Sequence, residues 1–173
     1  MRPIAPNPAD VEAWNAYLAE GNAKQARKRV AADVLLRDPA GRVLLVNPTY
    51  KPGWDLPGGM AEANEPPEDA VGRELAEELG FTVVLHGLLV VDWVAPHGPW
   101  DDQIAFVFDG GTLTQDQADG LHPTDYELSE AAFFTAEEAD SRLGDRIRHR
   151  FEASLLALGT GRPLYLRDGT PAA

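Results

Sequence analysis

Three glutamates at helical spacing are the residues of this chain best suited to bind a cation. Glu74, Glu77 and Glu78 lie three or four positions apart in a segment that Gly80 closes. On a helix this spacing puts all three carboxylates on one face. Carboxylate oxygens are the ligands that a hard divalent cation such as Mg²⁺ prefers.

This placement is unfavourable for the helix itself. Like charges at these spacings cost about 0.2–0.5 kcal/mol per pair. Because Gly80 is the predicted helix end, the acids sit in the last two turns, where the helix dipole disfavours each negative charge by roughly 0.3–1 kcal/mol. A bound cation would offset both costs and indicates a functional site. The alternative from this segment alone is a solvated acidic face.

The charge balance limits the partners of the chain. The sequence has 173 residues, enough for one domain with a sizeable core. It carries 28 acidic and 15 basic residues, a net charge of −13. Such a surface repels a nucleic-acid backbone, so we expect no nucleic-acid partner. An anionic small molecule should bind through divalent cations.

The chain contains no cysteine, which excludes disulfides, thiolate metal sites and a cysteine nucleophile. Any metal must therefore be held by oxygen or imidazole ligands. The apolar runs are too short to span a bilayer, and residues 1–6 carry no apolar signal core. We expect a cytoplasmic protein without a membrane partner.

The elements that must position the glutamates follow from hydrophobic periodicity and turn residues. Predicted helices cover residues 8–20, 66–79, 135–142 and 145–158. Predicted strands cover residues 30–37, 42–46, 81–85, 88–94, 103–108 and 131–134. Residues 38–41 form a hairpin turn, 47–59 a loop, and 112–126 a polar irregular segment. The pattern predicts an α/β (α+β) domain with a mixed sheet and flanking helices.

Residues 59–81 resemble the Nudix box. The matching positions are Gly59, Glu65, Arg73-Glu74, Leu75, Glu77-Glu78, Gly80 and Phe81. Every fixed position of the box is present at its required spacing. The strand pattern from about Val30 to Phe134 also resembles the Nudix fold.

The resemblance implies a mixed β-sheet sandwiched between α-helices. It further implies Mg²⁺ or Mn²⁺ held by Glu74, Glu77 and Glu78, with the Gly58 carbonyl as a further ligand. The implied activity is metal-dependent hydrolysis of a diphosphate bond in a nucleoside diphosphate linked to another moiety. That substrate could be a nucleotide sugar such as ADP-ribose, a dinucleotide or a nucleoside triphosphate.

The resemblance also implies roles for single residues of the box. Glu65 and Arg73 are expected to be structural partners, because a guanidinium can hold a carboxylate by two parallel hydrogen bonds. The catalytic base is expected to be Glu74 or Glu78, and the sequence leaves that choice open.

A glutamate outside the box joins the metal or acts as the base in some members of this family. Glu127, six residues before Phe133, is the best match here. An ordinary loop acid is an equally good interpretation of Glu127. Asp125 and Glu130 compete for the same role.

Substrate contacts are predicted mainly in the loop before the box helix. Gly59 allows the backbone to approach a phosphate closely, and Lys51 could pair with one. Trp54 could stack on a base, although an aromatic residue there more often belongs to the core. Trp100 could line the pocket mouth, and the basic segment Arg27–Arg29 could receive a phosphate or simply be solvated.

We predict that the chain consists of an N-terminal helical extension (1–27), a Nudix domain (28–160) and a C-terminal tail (161–173). Phe151, Leu155 and Leu158 recur at helical spacing in the last helix. They would pack on the sheet or form a homodimer contact, and the sequence does not separate these two.

Two other classes of function compete with a hydrolase. One is a non-catalytic Nudix module that binds a nucleotide as a sensor or scaffold. The retention of Glu74, Glu77 and Glu78 argues against it, since a binding module has no need of all three. The other is an unrelated acidic α/β protein, which the complete box disfavours.

Overall fold

The computed structural model describes residues 5–172 as a mixed sheet with helices on both faces. The helices are α1 (Val11–Ala23), α2 (Pro67–Leu79), α3 (Gln115–Gly120), α4 (Ala136–Arg142) and α5 (Asp145–Thr160). The strands are β1 (Arg29–Arg37), β2 (Val43–Pro48), β3 (Gly58–Met60), β4 (Gly87–Val94), β5 (Gln103–Thr112), β6 (Leu128–Phe134), β7 (Leu164–Arg167) and β8 (Thr170–Pro171). This architecture confirms the predicted α/β class with a mixed sheet.

The sheet runs in the order β6-β2-β1-β5-β4-β7-β8, and β3 pairs separately with β1. β1 lies parallel to β5 and antiparallel to β3. Because β3 adds to β1 near the sheet centre, the loop before the box helix is fastened to a buried strand. None of the helices described is long and apolar enough to cross a membrane.

Two apolar clusters cover the two faces of the sheet. On one face α2 contributes Ala70, Val71 and Leu75, each fully buried against residues of β1 and β2. On the other face α4 and α5 pack on the sheet, with Phe151 the largest buried side chain of that helix pair. The helix that carries the three glutamates is therefore held by one apolar stripe, and its acidic face is left free for other contacts.

Helix α2 begins and ends where the sequence predicts. Pro67 occupies the first helical turn, where its missing N–H is not needed. Gly80 caps the other end in the left-handed conformation, with φ at 61°. The carboxylates are thus in the last two turns, as the position of Gly80 predicted.

The first helix is displaced from its prediction. It covers Val11–Ala23 instead of 8–20, because Asp10 caps it by accepting a hydrogen bond from the Ala13 N–H. Gly21, which directly follows the predicted end at residue 20, lies inside the helix. A glycine costs a helix interior only about 1 kcal/mol, so it is a weak stop signal.

The predicted strand at residues 81–85 is wrong. These residues form no regular element, although Phe81, Val83 and Leu85 pack partly buried on the α2 side of the core. An extended segment that buries alternate side chains has the same apolar pattern as a strand. The pattern does not reveal whether a neighbouring strand is available for pairing.

The segment 112–126 is more ordered than predicted. Thr114 and Gln117 form a reciprocal capping box that starts α3. The signature of a Thr followed three residues later by Gln is visible in the sequence, and it was the signal that would have found this helix.

The C-terminal residues add strands to the sheet instead of forming a polar tail. β7 pairs in parallel with β4, from Val90↔Leu164 to Trp93↔Arg167. β8 turns back on β7. The alternation of Leu164 and Leu166 with polar residues is too short to mark a strand by itself.

Leu166 offers a test of whether the C-terminal strands contribute to folding stability. It is 0% exposed, whereas its neighbour Tyr165 is 55% exposed. We expect Leu166→Ala to lower the free energy of unfolding by about 2–5 kcal/mol, since it removes a fully buried side chain. Tyr165→Ala is the matched control and should change stability by well under half as much. Urea titration followed by circular dichroism would measure both, and equal effects would contradict this packing.

Candidate functional site

A cavity of about 590 Å³ lies where β1, β3, the acidic face of α2 and the start of α5 meet. It is lined by seven of the residues that the sequence singled out, namely Arg29, Lys51, Gly58, Gly59, Glu74, Glu78 and Glu127. Trp100, predicted at the pocket mouth, also lines it. The box residues and the loop residues thus come together at one site.

Gly58 and Gly59 set the distance between the loop and its neighbours. A Cβ on Gly58 would lie 2.2 Å from the Ala32 carbonyl oxygen, and the Gly58 φ of 140° disfavours other residues. A Cβ on Gly59 would lie 2.4 Å from the carboxyl carbon of Glu74. Both glycines are therefore needed, the first for pairing with β1 and the second for the close approach of Glu74.

Arg73 ties the loop to the helix. Its Nε and Nη2 donate to the two carboxylate oxygens of Glu65, at 2.9 and 3.1 Å. Nη2 also donates to the Met60 carbonyl, and Nη1 donates to Glu74 and Glu77 at 3.0 and 3.1 Å. Arg73 thereby holds Met60 and Glu65 of the loop against α2.

Glu78 is the most perturbed carboxyl group of the α2 acidic face. Glu78 is only 4% exposed. Its Oε2 is buried and has no hydrogen-bond partner. Burial first, and then the nearby carboxylates of Glu74, Asp125 and Glu127, raise the pKa of Glu78 to about 8. A buried unpaired carboxylate oxygen is costly, and a cation or a proton would satisfy it.

Glu74 shares this environment. Burial raises the pKa of Glu74, and the Arg73 guanidinium opposes that rise. Glu127 contributes to the upward shift at both Glu74 and Glu78, so its charge lies close to the box carboxylates. Asp125 accepts a hydrogen bond from the Glu127 N–H instead of lining the cavity.

The other predicted site residues lie outside the cavity. Glu130 sits on β6 opposite Asn47. The Glu77 side chain is 57% exposed and pairs with Arg73. Within residues 5–172, no three carboxylate or histidine side chains converge as a ready-made metal set. Binding of one cation by all three box glutamates would require Glu77 to leave Arg73.

Trp54 does not line the cavity, contrary to its prediction as a substrate-binding residue. Its ring packs edge-on against Phe134 at 4.8 Å, within the core cluster under α4 and α5. Its backbone bridges to Leu143. The physical reason is its apolar area, which the core buries.

Lys51 lines the cavity and pairs with Asp55. Burial alone would lower the pKa of Lys51, but the Asp55 carboxylate outweighs it and raises that pKa. Lys51 therefore carries its full charge at the cavity wall.

Sequence reasoning missed a buried ion network at the cavity floor. Arg150, only 4% exposed, donates through Nε to Asp92 at 2.9 Å, and its Nη1 lies 3.6 Å from Asp33. Burial raises the pKa of Asp33 to about 7, helped by Asp55 and opposed by Arg150. A single acid inside an apolar strand, as Asp33 and Asp92 are, was the available signal.

Comparison with known proteins identifies the family of this chain. The NUDIX domain model matches residues 27–154. A Bacillus subtilis (strain 168) protein, provisionally named an 8-oxo-dGTP diphosphatase, is 33% identical over 89 residues, which are 51% of this chain and 58% of that protein. An RNA pyrophosphohydrolase from Gluconacetobacter diazotrophicus is 30% identical over 136 residues, covering 73% of this chain and 74% of the relative.

Solved structures show the same fold. The crystal structure of a MutT protein from Methanosarcina mazei Go1 superposes with a TM-score of 0.65 and 26% sequence identity. The match covers 78% of this chain and 99% of that one. With the domain match over most of its length, this chain belongs to the Nudix family.

The requirement for glycine at position 58 can be tested by measuring the free energy of unfolding of substituted proteins. We expect Gly58→Ala to lower the free energy of unfolding by about 1–3 kcal/mol from backbone strain alone, with steric overlap adding to the loss. Gly72→Ala, in the interior of α2 with nothing within 4 Å of the new Cβ, should instead stabilise by up to about 1 kcal/mol. Thermal unfolding would measure both. Destabilisation of equal size in both variants would contradict the account.

The raised pKa of Glu78 predicts a pH-dependent stability for the protein in EDTA. Its folded pKa of about 8 lies above the ordinary value of 4.5, so its contribution to stability is fully present below the unfolded pKa and is lost as the pH rises toward 8. Glu78→Gln keeps the shape without the charge. We expect Glu78→Gln to be more stable than the wild type at pH 8, with a smaller gap at pH 5.

Urea titrations at the two pH values would measure this gap. Glu68→Gln, an exposed change on the same helix, is the matched control and should show no such trend. A gap between Glu78→Gln and wild type that does not widen with pH would argue against a perturbed carboxyl group.

Proposed function

We propose that this protein is a pyrophosphohydrolase that uses Mg²⁺ or Mn²⁺ to cleave a diphosphate bond in a nucleoside diphosphate derivative. The observation that carries the proposal is the buried, unpartnered Oε2 of Glu78, a residue that lines the same cavity as Glu74, Glu127, Gly58 and Gly59. Family membership supports the same class of reaction.

The residues at the cavity fit a hard divalent cation. At its acidic end the cavity offers oxygen ligands, from Glu74 and Glu78 with Gly58 and Glu127 beside them, which is the donor set that Mg²⁺ and Mn²⁺ prefer. Glu77 would join this set on release from Arg73. When bound, the cation would neutralise phosphate oxygens and lower the pKa of a coordinated water.

The chain's own carboxylates supply the proton chemistry. A general base must be free of its proton when it accepts one from the attacking water. Burial raises the pKa of Glu78 to about 8 in the absence of metal, and a bound cation would lower that pKa and leave the carboxylate unprotonated. Its buried position also keeps bulk water away from the carboxylate. Glu78 is thus the proposed base, with Glu74 as the alternative on the same helix face.

Two further groups orient the diphosphate. Lys51 brings a positive charge to the cavity wall and would compensate phosphate charge as the substrate enters. The glycine backbone at positions 58 and 59 lets a phosphate approach without a side chain in between. Arg73 and Glu65 act indirectly by holding that loop against α2.

The names of the relatives support a class of substrate. One is named a diphosphatase of 8-oxo-dGTP and the other a pyrophosphohydrolase of RNA, and both names describe hydrolysis of a phosphoanhydride in a nucleotide. We therefore propose the shared chemistry, a nucleoside polyphosphate or nucleoside diphosphate derivative, as the substrate class.

The activity should be tested with a panel that spans ADP-ribose, nucleotide sugars, dinucleoside polyphosphates, nucleoside triphosphates including 8-oxo-dGTP, and 5′-triphosphorylated RNA. We expect turnover of at least one of these with Mg²⁺ and none in EDTA. Glu78→Gln should lower kcat by about 10²–10⁴-fold, the usual size of a general-base contribution. Glu68→Gln, on the exposed side of α2, should retain activity.

Products separated by chromatography would identify which bond is cleaved. Absence of turnover across the panel, combined with tight Mg²⁺-dependent binding of one nucleotide, would replace the hydrolase proposal with the sensor hypothesis. Equal activity of Glu78→Gln and Glu68→Gln would remove Glu78 from the mechanism.

A further inference from the structure

The cavity has a cationic end that the proposed diphosphate chemistry does not use. Arg29 and Arg146 both line the cavity. Within residues 5–172, neither forms a salt bridge with a carboxylate. The Nη1 of Arg29 is buried and donates to no acceptor among those residues. These two guanidinium groups make this end of the cavity cationic in a chain of net charge −13, and an anion bound there would compensate their charge.

Strand register places Arg29 at a distance from the glycine loop. On β1, Asp33 is paired with Gly58 and Ala32 with Gly59, whereas Arg29 is paired with Gln103 on β5. Arg29 therefore lies three to four residues, about 10–13 Å, along the strand from the two glycines, and its Nη2 lies 3.9 Å from the Met60 sulfur. Arg29, Ala31 and Asp33 alternate with residues of the opposite face and therefore share the cavity side of the sheet. A group bound at Arg29 would thus lie further along the cavity than a diphosphate at Gly58–Gly59.

A short hairpin connects the two arginines. The guanidinium of Arg29 stacks on the Trp100 ring, 4.5 Å from its centroid. Trp100 and His97 exchange backbone hydrogen bonds at 3.0 Å. The Nδ1 of His97 lies 3.0 Å from the Ala95 carbonyl, which leaves Nε2 to accept from Arg146 Nη1 at 2.9 Å. Both guanidinium groups are therefore held in place from one side.

The position of Arg146 is unfavourable for helix α5 by itself. Arg146 is the second residue of that helix, where the dipole favours negative charge and disfavours a cation. The uncapped N-terminal N–H groups after Gly144 add to the positive potential there. An anionic ligand would be stabilised both by the Arg146 charge and by these N–H groups. In the same way, a cation would stabilise the glutamates at the other end of the cavity.

We propose that Arg29, Arg146 and Trp100 form an anion subsite that binds a phosphate or carboxylate group on the moiety linked to the diphosphate. The proposal rests on the proposed function for the position of the diphosphate. It makes the substrate a nucleoside diphosphate derivative with a second, distant negative charge, and it makes the two arginines specificity-determining residues.

The test is calorimetric binding with Mg²⁺ present, using two matched pairs of probes. The first pair is adenosine 3′,5′-bisphosphate against adenosine 5′-monophosphate. The second pair is glucuronic acid 1-phosphate against glucose 1-phosphate. No probe contains a diphosphate bond, so binding is measured without turnover and does not depend on catalysis.

We expect the member of one pair that carries the second anionic group to bind about 10–100-fold more tightly than its partner, the range for hydrogen bonds to a charged group. The pair that shows the preference distinguishes a phosphate from a carboxylate ligand. Arg29→Gln and Arg146→Gln should each abolish it. Arg148→Gln, on the same helix but paired with Asp145 outside the cavity, should preserve it.

Three results would overturn the proposal. They are the absence of preference in both pairs, a preference that persists in Arg29→Gln and Arg146→Gln, and an equal loss of affinity for both members of a pair. An equal loss of affinity for both members would mean that the arginines bind the nucleoside base or the sugar.

Circular dichroism would establish that each variant is folded. Arg29→Lys, which keeps the charge, should restore part of the preference. A preference found without turnover in the substrate panel would contradict only the hydrolase proposal.

Discussion

The close contact between the Gly58–Gly59 backbone, strand β1 and the Glu74 carboxylate is the constraint on which this site depends. It is possible only because neither glycine carries a Cβ. Arg73 then fixes the loop to α2 through Glu65 and the Met60 carbonyl. The helix can therefore present its acids to the cavity at a defined place, although their spacing weakens the helix.

Charge is distributed unevenly along the cavity, and this asymmetry carries the functional argument. Carboxylates crowd one end, where Glu78 keeps an unpartnered oxygen. At the other end Arg29 and Arg146 lack carboxylate partners in the part of the chain that the structure describes. Each end is unfavourable alone, and each would be stabilised by a ligand of opposite charge. A substrate with a metal-bound diphosphate and a distant anion matches both.

The sequence was sufficient to predict the fold class and the local geometry of the box, because spacing within one helix translates directly into a shared face. It failed where the outcome depends on contacts between distant segments. The pattern at residues 81–85 could not show that no strand lies beside it. Trp54 was drawn into the core by Phe134. Arg29 and Arg146, 117 residues apart in the chain, meet one cavity only through the sheet register and the packing of α5.

The most direct measurement is a crystal structure of the protein with Mn²⁺, located by its anomalous scattering. The account predicts Mn²⁺ in the cavity, bound by Glu74 and Glu78 beside the Gly58–Gly59 backbone, with Arg73 still paired to Glu65. Mn²⁺ absent from the cavity at saturating concentration, or bound only at acids outside it, would contradict the central claim that this carboxylate cluster is a metal site.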